Sequence, residues 1–433
     1  MPEFLQLTSP KEALQKLLTN LEARNPESEI LETRLALGRV TAEDIIASHP
    51  LPEFPRSTVD GYAVYGQDTF GCSESLPGYL TLVGEVLMGK KSSILLTPGF
   101  CTLIHTGGML PDGANAVIML EDTQTVQSRK ERNSYSQEVE IRHAVTEGEN
   151  VLQVGEDVEK GEIVIRAGTK VRPVEIGGCM ALGIVKMRVA IKPMIGIIST
   201  GDEVIHPEKK PRIGQVRDIN SYSLAALIDS AGGNPIIYGV VSDNLEQLKS
   251  AAKKAISECD AIVITAGSSA SSRDTTAEAI AHLGEPGVLV HGINIRPGKP
   301  TILSVCAGKA VIGLPGNPVS ALVIASLFVV PLIEYLLGLR LTHPHSTVLA
   351  KLNINVSSQA GREDWIAVKL APISRNHQDS SRNQGEEEIN WIAEPIFSKS
   401  NLIFSLVKSD GLICIPLERT GISAGEIVEV SII

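Results

Sequence analysis

The feature that most limits what this chain can fold into is an alternation over residues 191–337. Short runs of branched apolar residues recur there: IGIIST, PIIYGVV, AIVIT, VLVHG and AVIGL. Between several of them stand helical patterns, SYSLAALIDSAG, NLEQLKSAAKKAISE and TTAEAIAHLG. Strands that apolar on both faces belong to a buried parallel sheet, and the helices between them must cross over and cover it. In such a sheet ligands bind beyond the carboxyl ends of the strands. That singles out four turns, STGDEV, VVSDNLEQ, TAGSSASSRD and GLPGNPVS.

The flanks read differently. The chain has 433 residues, more than one core organises, so two to four domains are expected. Over 76–145, YLTLVGEVL, CTLIHTG, NAVIML and EVEIRHA alternate with turn residues, which predicts a small all-β module with RKERNSYSQE as an exposed loop. Over 346–433, TVLAKLNINV, DWIAVKL, LIFSLV, LICIPL and EIVEVSI predict further strands, with SRNHQDSSRNQGEEE as a disordered hairpin loop. Near the start, Ser9, Pro10 and Glu12 form a capping box for a helix over 9–24, and a second short helix is expected over 31–39.

Composition excludes several classes. A net charge of −11 argues against a general nucleic-acid or anionic-membrane binder, while leaving room for a local basic pocket. Cys72, Cys101, Cys179, Cys259, Cys306 and Cys414 are dispersed, with no CxxC pair, and read as reduced core thiols of a cytoplasmic protein. No signal peptide is visible at the N-terminus. The apolar stretch 319–337 contains Pro331 and Glu334 and is expected to be a buried helix, not a membrane span.

Chemistry gathers at the four turns. Glu203 lies just past the glycine of STGDEV, and Asp243 opens DNLEQ, where a capping box with Glu246 is an equal reading. TAGSSASSRD, closed by Asp274, is long for a connector, and its N–H and hydroxyl groups suit a phosphate at a helix start. GLPGNPVS fixes its backbone with two prolines and two glycines, and Asn317 or the following turn caps the next helix. Just upstream, Arg296 and Lys299 flank a Pro-Gly turn and suit an oxyanion, the alternative being a solvated basic loop. Elsewhere, Asp60 precedes Gly61 in a proline-bounded turn, where a plain turn-forming aspartate is the alternative; Thr106 precedes two glycines, and NVLQVGEDVEKGE carries Asp157. Several carboxylates with two cations point to a Mg-dependent enzyme acting on a phosphorylated small molecule.

The ordered blocks STVDGYAV, TGGMLPDGANAV, GEDV, STGDE, the Ser-rich turn ending in Asp274, PGKP and GLPGNPVSAL cover essentially the whole chain. Together they resemble the molybdopterin molybdenumtransferase family of the MoeA and gephyrin E-domain type. The resemblance implies a multidomain α/β plus β fold and an elongated homodimer. Its parts would be a discontinuous α+β linker domain (1–48 and 159–190), a β-rich module (49–158), a three-layer α/β domain with a mostly parallel sheet (191–337) and a C-terminal β-barrel (338–433).

It also implies the chemistry. Molybdate and adenylylated molybdopterin are the substrates; the pyrophosphate is hydrolysed with Mg²⁺, AMP leaves, and molybdenum stays on the dithiolene. Asp60, Thr106, Glu203, Asp243 and Asp274 take catalytic positions, with Glu203, Asp243 and Asp274 on the metal. Gly267, Ser268, Ser269, Pro315, Gly316, Asn317 and Pro318 hold the pterin substrate, and Arg296, Lys299 and Ser320 hold molybdate. Asp60 and Thr106 would serve the partner subunit's site. The adenylyltransferase and cofactor-accepting molybdoenzymes are further implied partners. Two alternatives remain open at this stage: a molybdopterin adenylyltransferase, and a non-catalytic scaffold or cofactor-binding protein of the same fold. The chain departs from the family pattern at Val59, Asn115, Ala266 and Ser271. The last two replace glycines, so a left-handed backbone at Ser271 would be strained.

Overall fold

The computed structural model describes residues 7–22, 25–130, 134–266, 270–340, 346–373 and 389–433, without the side chains of 127–136 and 266–274. The expectations for 374–388, for Gly267, Ser268 and Ser269, and for the Asp274 side chain lie outside the described residues. The chain divides into two compact units: Glu43–Ala167 with Pro173–Lys186, and Met1–Ala42 with Gly168–Arg172 and Met187–Ile433.

The smaller unit is built on six strands: β1 (Gly61–Val64), β2 (Gly78–Glu85), β3 (Phe100–Ile104), β4 (Ala116–Met119), β5 (Thr123–Lys130) and β6 (Ser134–Ile141). Their order across the sheet is β4-β1-β3-β2-β6-β5. Tyr62, Val64, Leu80, Ile118, Val139 and Ile141 fill its core. RKERNSYSQE is not a loop. It lies mostly in the β5–β6 ladder, which runs from Thr123 opposite Ile141 to Lys130 opposite Ser134. A polar run keeps strand geometry when its backbone groups pair across the ladder.

In the larger unit the α/β alternation appears as expected. Strands β7 (Met194–Thr200), β8 (Asn234–Val241), β9 (Ala261–Ala266), β10 (Pro286–His291), β11 (Ile302–Cys306) and β12 (Lys309–Pro315) form a sheet in the order β8-β7-β9-β12-β11-β10. The β7–β8, β7–β9 and β9–β12 pairs are parallel. Strand β11 runs against both neighbours, which makes the sheet mixed at one edge. Sequence reasoning passed over β11. Its hairpin to β12 turns on Ala307 (φ 50°) and Gly308 (φ 74°), where an Asn-Gly pair would have announced the turn.

Helices α1 (Pro10–Thr19), α2 (Asn220–Ser230), α3 (Leu245–Glu258) and α4 (Ala270–Ala281) follow in chain order. Ser9 caps α1 as expected, accepting from the Glu12 N–H at 3.3 Å and donating to its carboxylate at 2.9 Å. The last helix of the domain begins as α5 (Pro318–Ile324), widens into a π turn at Ala325–Val329 and continues as α6 (Val330–Leu336). Pro331 explains the widening. It has no N–H to give the preceding turn, and its ring crowds that turn's carbonyl.

Three layers result. Leu17, Leu224, Ile228, Phe328 and Leu332 pack with Ile195, Ile197, Val263 and Ile312 on one face. Leu248, Ala252, Ala279 and Ile280 pack with Ile198, Ile262, Ile264 and Val311 on the other. The Pro318–Leu336 helix is long and apolar enough to cross a membrane, but it packs in this core. The expected second helix near 31–39 is instead a strand, Ser28–Glu32, followed by one 3₁₀ turn, Thr33–Leu35.

C-terminal strands β13 (Thr347–Leu352), β14 (Glu363–Pro372), β15 (Trp391–Pro395), β16 (Gly411–Ile415) and β17 (Ile427–Ile432) pair in the order β14-β15-β13-β17-β16. A further β14–β16 ladder closes the barrel around Leu352, Val368, Ala393, Ile413 and Val430. LIFSLV is not a strand: Phe404–Val407 forms one helical turn, α7, with Phe404 and Val407 exposed. Its apolar run reflects surface residues, not burial.

Candidate active site

Two clusters occupy the carboxyl edge of the sheet in the larger unit. The first lies where β12 gives way to α5. Pro318 starts the helix with its φ preset. Asn317 stands at the cap position, but its side chain does not cap. The next N–H, from Val319, is already bonded to the Ser400 carbonyl at 3.1 Å, and Asn317 Nδ2 donates to Ser400 Oγ at 3.1 Å. The expected Asn317 cap is therefore replaced by a bond to the barrel.

Facing this turn is the loop of Arg296 and Lys299. Both side chains are exposed, yet the backbone beneath them is held. Ile293 N–H donates to the Lys299 carbonyl at 2.9 Å, and Thr301 Oγ1 donates to the Gly298 carbonyl at 2.6 Å. Gly298 has φ +116°, and a Cβ there would overlap Cγ1 and Cδ1 of Ile324 in α5. The basic loop is locked, not merely solvated.

Arg296, Lys299, Pro315, Asn317 and Ser320 line one cleft of about 910 Å³. Ser320 is buried, at 3% exposure. Gly316 and Pro318 belong to the same turn. The barrel adds residues that sequence reasoning missed: Arg362, Asp364, Lys399 and Ser400 line the cleft as well. Asp364 is buried on β14. Arg362 Nε lies 2.8 Å from its Oδ1, though not aligned as a hydrogen bond, and Nη2 donates to Oδ2 at 3.2 Å. Arg296 Nη1 is 3.8 Å from Oδ2. Four cationic side chains against one carboxylate make the cleft electropositive, as an anion requires. The sequence shows only a charged run, Arg362 to Asp364, leading into a largely apolar strand; that this run meets the cleft is not written in it.

The second cluster lies where β7 and β8 end. Asp243 N–H donates to Asp202 Oδ1 at 3.1 Å. Burial pushes the Asp243 carboxyl up from its ordinary range, and the charges of Asp202 and Glu203 push it further. The capping reading of Asp243 is overturned: Asn244 caps α3, its Oδ1 accepting from the Glu246 and Gln247 N–H groups at 3.1 Å each. Asp243 is thereby free for other work. Asp202 was not singled out from the sequence. Beneath the cluster, Ser199 Oγ donates to Asp218 Oδ1 at 3.1 Å and bonds Ser221 and Thr265 hydroxyls at 2.9 and 3.1 Å. This buried network ties β7, β9 and α2 together.

After β9 the chain becomes helical sooner than expected. The strand ends at Ala266 and α4 begins at Ala270, so Asp274 is inside the helix and does not close the turn. Ser271 is helical and needs no left-handed backbone. Ala and Ser are compatible with a helical first turn, which the sequence reading treated as loop.

Asp60 and Thr106 lie in the smaller unit and belong together. Thr106 N–H and Oγ1 donate to Asp60 Oδ1 at 2.8 and 3.2 Å. The backbone bond chiefly, then the hydroxyl, holds the Asp60 carboxyl below the usual range. His105 adds a ring nitrogen 3.7 Å from Asp60, its other nitrogen 2.9 Å from Glu85. Asp157 is exposed on this unit.

Three family descriptions match successive stretches of the chain. The family description "MoeA N-terminal region (domain I and II)" matches residues 8–183, "Probable molybdopterin binding domain" matches 196–335, and "MoeA C-terminal region (domain IV)" matches 350–433. The chain belongs to the MoeA family. A putative molybdopterin biosynthesis protein of Methanocaldococcus jannaschii is 35% identical over 99% of this chain and 98% of its own length. A MoeA-family relative from Haemophilus influenzae, named molybdopterin molybdenumtransferase, is 30% identical, covering 93% of each chain. The crystal structure of the MoeA protein of Pyrococcus horikoshii OT3 superposes with a TM-score of 0.81 at 32% identity, covering 99% of this chain and 100% of that one.

Proposed function

We propose that this MoeA-family chain is a molybdenum insertase of molybdenum cofactor biosynthesis. Its substrates are molybdate and adenylylated molybdopterin; water cleaves the pyrophosphate, AMP leaves, and molybdenum is retained by the dithiolene sulfurs. The observation that carries this reading is the locked electropositive cleft on the same sheet edge as a strained carboxylate cluster. A tetrahedral dianion suits the first, with Arg296 and Lys299 supplying charge and Ser320 a hydroxyl.

The carboxylate cluster fits Mg²⁺. Asp243 is forced up by burial and by Asp202 and Glu203, a tension that a divalent cation relieves. Among the described residues no three ligands form a ready cage. Mg²⁺ does not need one, since it commonly takes one or two carboxylates and completes its shell with water and substrate phosphate oxygens. Asp243 and Glu203, with Asp274 from α4, would hold it. Bound there, it would neutralise the pyrophosphate and ease departure of AMP. Arg296 and Lys299 keep molybdate in place, and the Ser400 bonds to Asn317 and Val319 keep the turn beneath it fixed. In this reading the chain works as a cytoplasmic homodimer, with Asp60 and Thr106 completing the partner's site.

The test is to incubate the full chain with adenylylated molybdopterin, Mg²⁺ and molybdate and to follow AMP. Release of AMP that depends on molybdate is the expected result. No release, or release indifferent to molybdate, overturns the reading.

A further inference from the structure

Helix α2 opens at Asn220, a residue only 9% exposed. Its Nδ2 donates to the Gly316 carbonyl at 2.8 Å. Its Oδ1 is buried and has no partner among the described residues. Leaving such an oxygen unpaired forfeits the hydrogen bond it makes with water in the unfolded chain, and buried polar atoms without partners are rare enough in folded chains to call for an explanation. The orientation of this amide follows from its one bond: a carbonyl can only accept, so the nitrogen faces Gly316 and the oxygen is the free end.

The place of this oxygen matters. Gly316 directly follows β12 and precedes Asn317 and Ser320 of the anion cleft. The next residue of α2, Ser221, bonds Ser199 of β7, which in turn bonds Thr265 of β9. Asn220 is thus tied to the carboxyl end of β12, and its neighbour Ser221 to those of β7 and, through Ser199, β9, the sheet edge where ligands of open α/β sheets bind. Nothing in the capping of α2 uses the free oxygen. The Ser221 N–H is bonded to Asp218 Oδ1 at 3.1 Å.

We infer that Asn220 is a substrate-recognition residue whose side-chain carbonyl accepts a hydrogen bond from an N–H or O–H on the organic part of the bound substrate. An oxyanion is the wrong partner, because phosphate or molybdate oxygens would meet the negative end of the amide dipole. The arrangement selects a donor and, by the same dipole, disfavours a phosphate displaced into its place. This rests on the reading of the substrate as an adenylylated pterin, which offers donors at both ends: ring and amino N–H groups on the pterin, and an amino group and ribose hydroxyls on the nucleoside.

The experiment compares Asn220→Ala with Asn220→Asp in the full chain. Both variants lose the bond to Gly316, so that loss cannot separate them. Alanine also removes the acceptor, whereas aspartate keeps one. Dissociation constants are measured for molybdopterin and for AMP, each alone, and KM for adenylylated molybdopterin and for molybdate. Asn220→Ala should weaken one of the two organic ligands roughly ten-fold, the change expected for one lost hydrogen bond. Asn220→Asp should restore most of it. Loss confined to molybdopterin names the pterin as the donor, and loss confined to AMP names the nucleoside. Aspartate binding no better than alanine, or an unchanged affinity for both ligands in the alanine variant, overturns the inference. So does a KM change on molybdate equal to that on the organic substrate, since a loosened Gly316 turn would produce it. Should either variant fail to fold, a crystal structure of the wild-type chain with molybdopterin and one with AMP decide the matter. A ligand donor within about 3.2 Å of Asn220 Oδ1 is expected; a ligand oxyanion there, or only water in both, overturns it. If the wild type releases no AMP at all, the proposed function fails instead.

Discussion

The two clusters on the sheet edge are built by opposite means. The cationic cleft at β12 is rigid first and charged second. Prolines, a positive-φ glycine pressed on Ile324 and bonds to Ser400 fix the backbone, while the Arg296 and Lys299 side chains remain exposed. The acidic cluster at β7 and β8 is charged first. Its carboxylates crowd one another, and Asp243 shows the strain in its raised affinity for a proton. The lesson is that an anion site can be prepared by backbone alone, because N–H groups and cations wait in water at little cost. A cation site made of carboxylates is prepared only at the expense of mutual repulsion.

If rigidity defines the first cluster, its largest failure should come from the backbone. Gly298→Ala sets a Cβ against Ile324 at φ +116°. Overpacking and an unfavourable backbone together should cost about 3 kcal/mol, visible as a lowered thermal midpoint together with weaker molybdate binding. A wild-type midpoint in this variant would show that the loop adapts freely and that the contrast between the two clusters is false. The side-chain counterpart should be cleaner. Arg296→Ala is expected to leave the midpoint near wild type and to weaken molybdate about ten- to hundred-fold, the range for a lost charged hydrogen bond. Calorimetric titration separates the two variants: one loses fold and ligand together, the other ligand alone.

How far the sequence foretold this depends on which interactions wrote it. The buried β-branched runs of β7, β9 and β12 announced the sheet, because burial on both faces leaves no polar period to confuse. The Arg296–Lys299 loop and the GLPGNPVS turn were readable because proline and glycine constrain a backbone wherever they stand. Contacts between distant segments were not readable. Ser400 bonding the Asn317 turn, and Arg362 and Lys399 entering the cleft from the barrel, depend on tertiary placement alone. Local chemistry also misled where two residues could do one job. Asp243 and Asn244 both suit a helix cap, and only geometry shows that Asn244 takes it. The length of the turn after β9 was overread because Ser and Ala are at home both in loops and in a helical first turn.

That last competition gives the smallest and sharpest test of the contrast. Asn244→Ala removes the one oxygen that accepts from two N–H groups at the start of α3 and should cost about 1 kcal/mol. Asp243→Asn removes no cap and relieves repulsion. A carboxyl raised in the folded state binds its proton more tightly there than in the unfolded chain. It therefore opposes folding increasingly as pH rises from the ordinary aspartate range through the raised value. Asp243→Asn should accordingly be slightly more stable than wild type at pH 7, by less than about 1 kcal/mol because the group is largely exposed. The gap should close as pH falls below the ordinary range, where both states of the wild type are protonated. Adding Mg²⁺ should reverse the order at pH 7, since a cation that binds the folded wild type raises its midpoint and finds a weaker site in the variant. A midpoint order unchanged by Mg²⁺ would mean that the repulsion among Asp202, Glu203 and Asp243 serves no cation, and the acidic cluster would lose its place opposite the anion cleft.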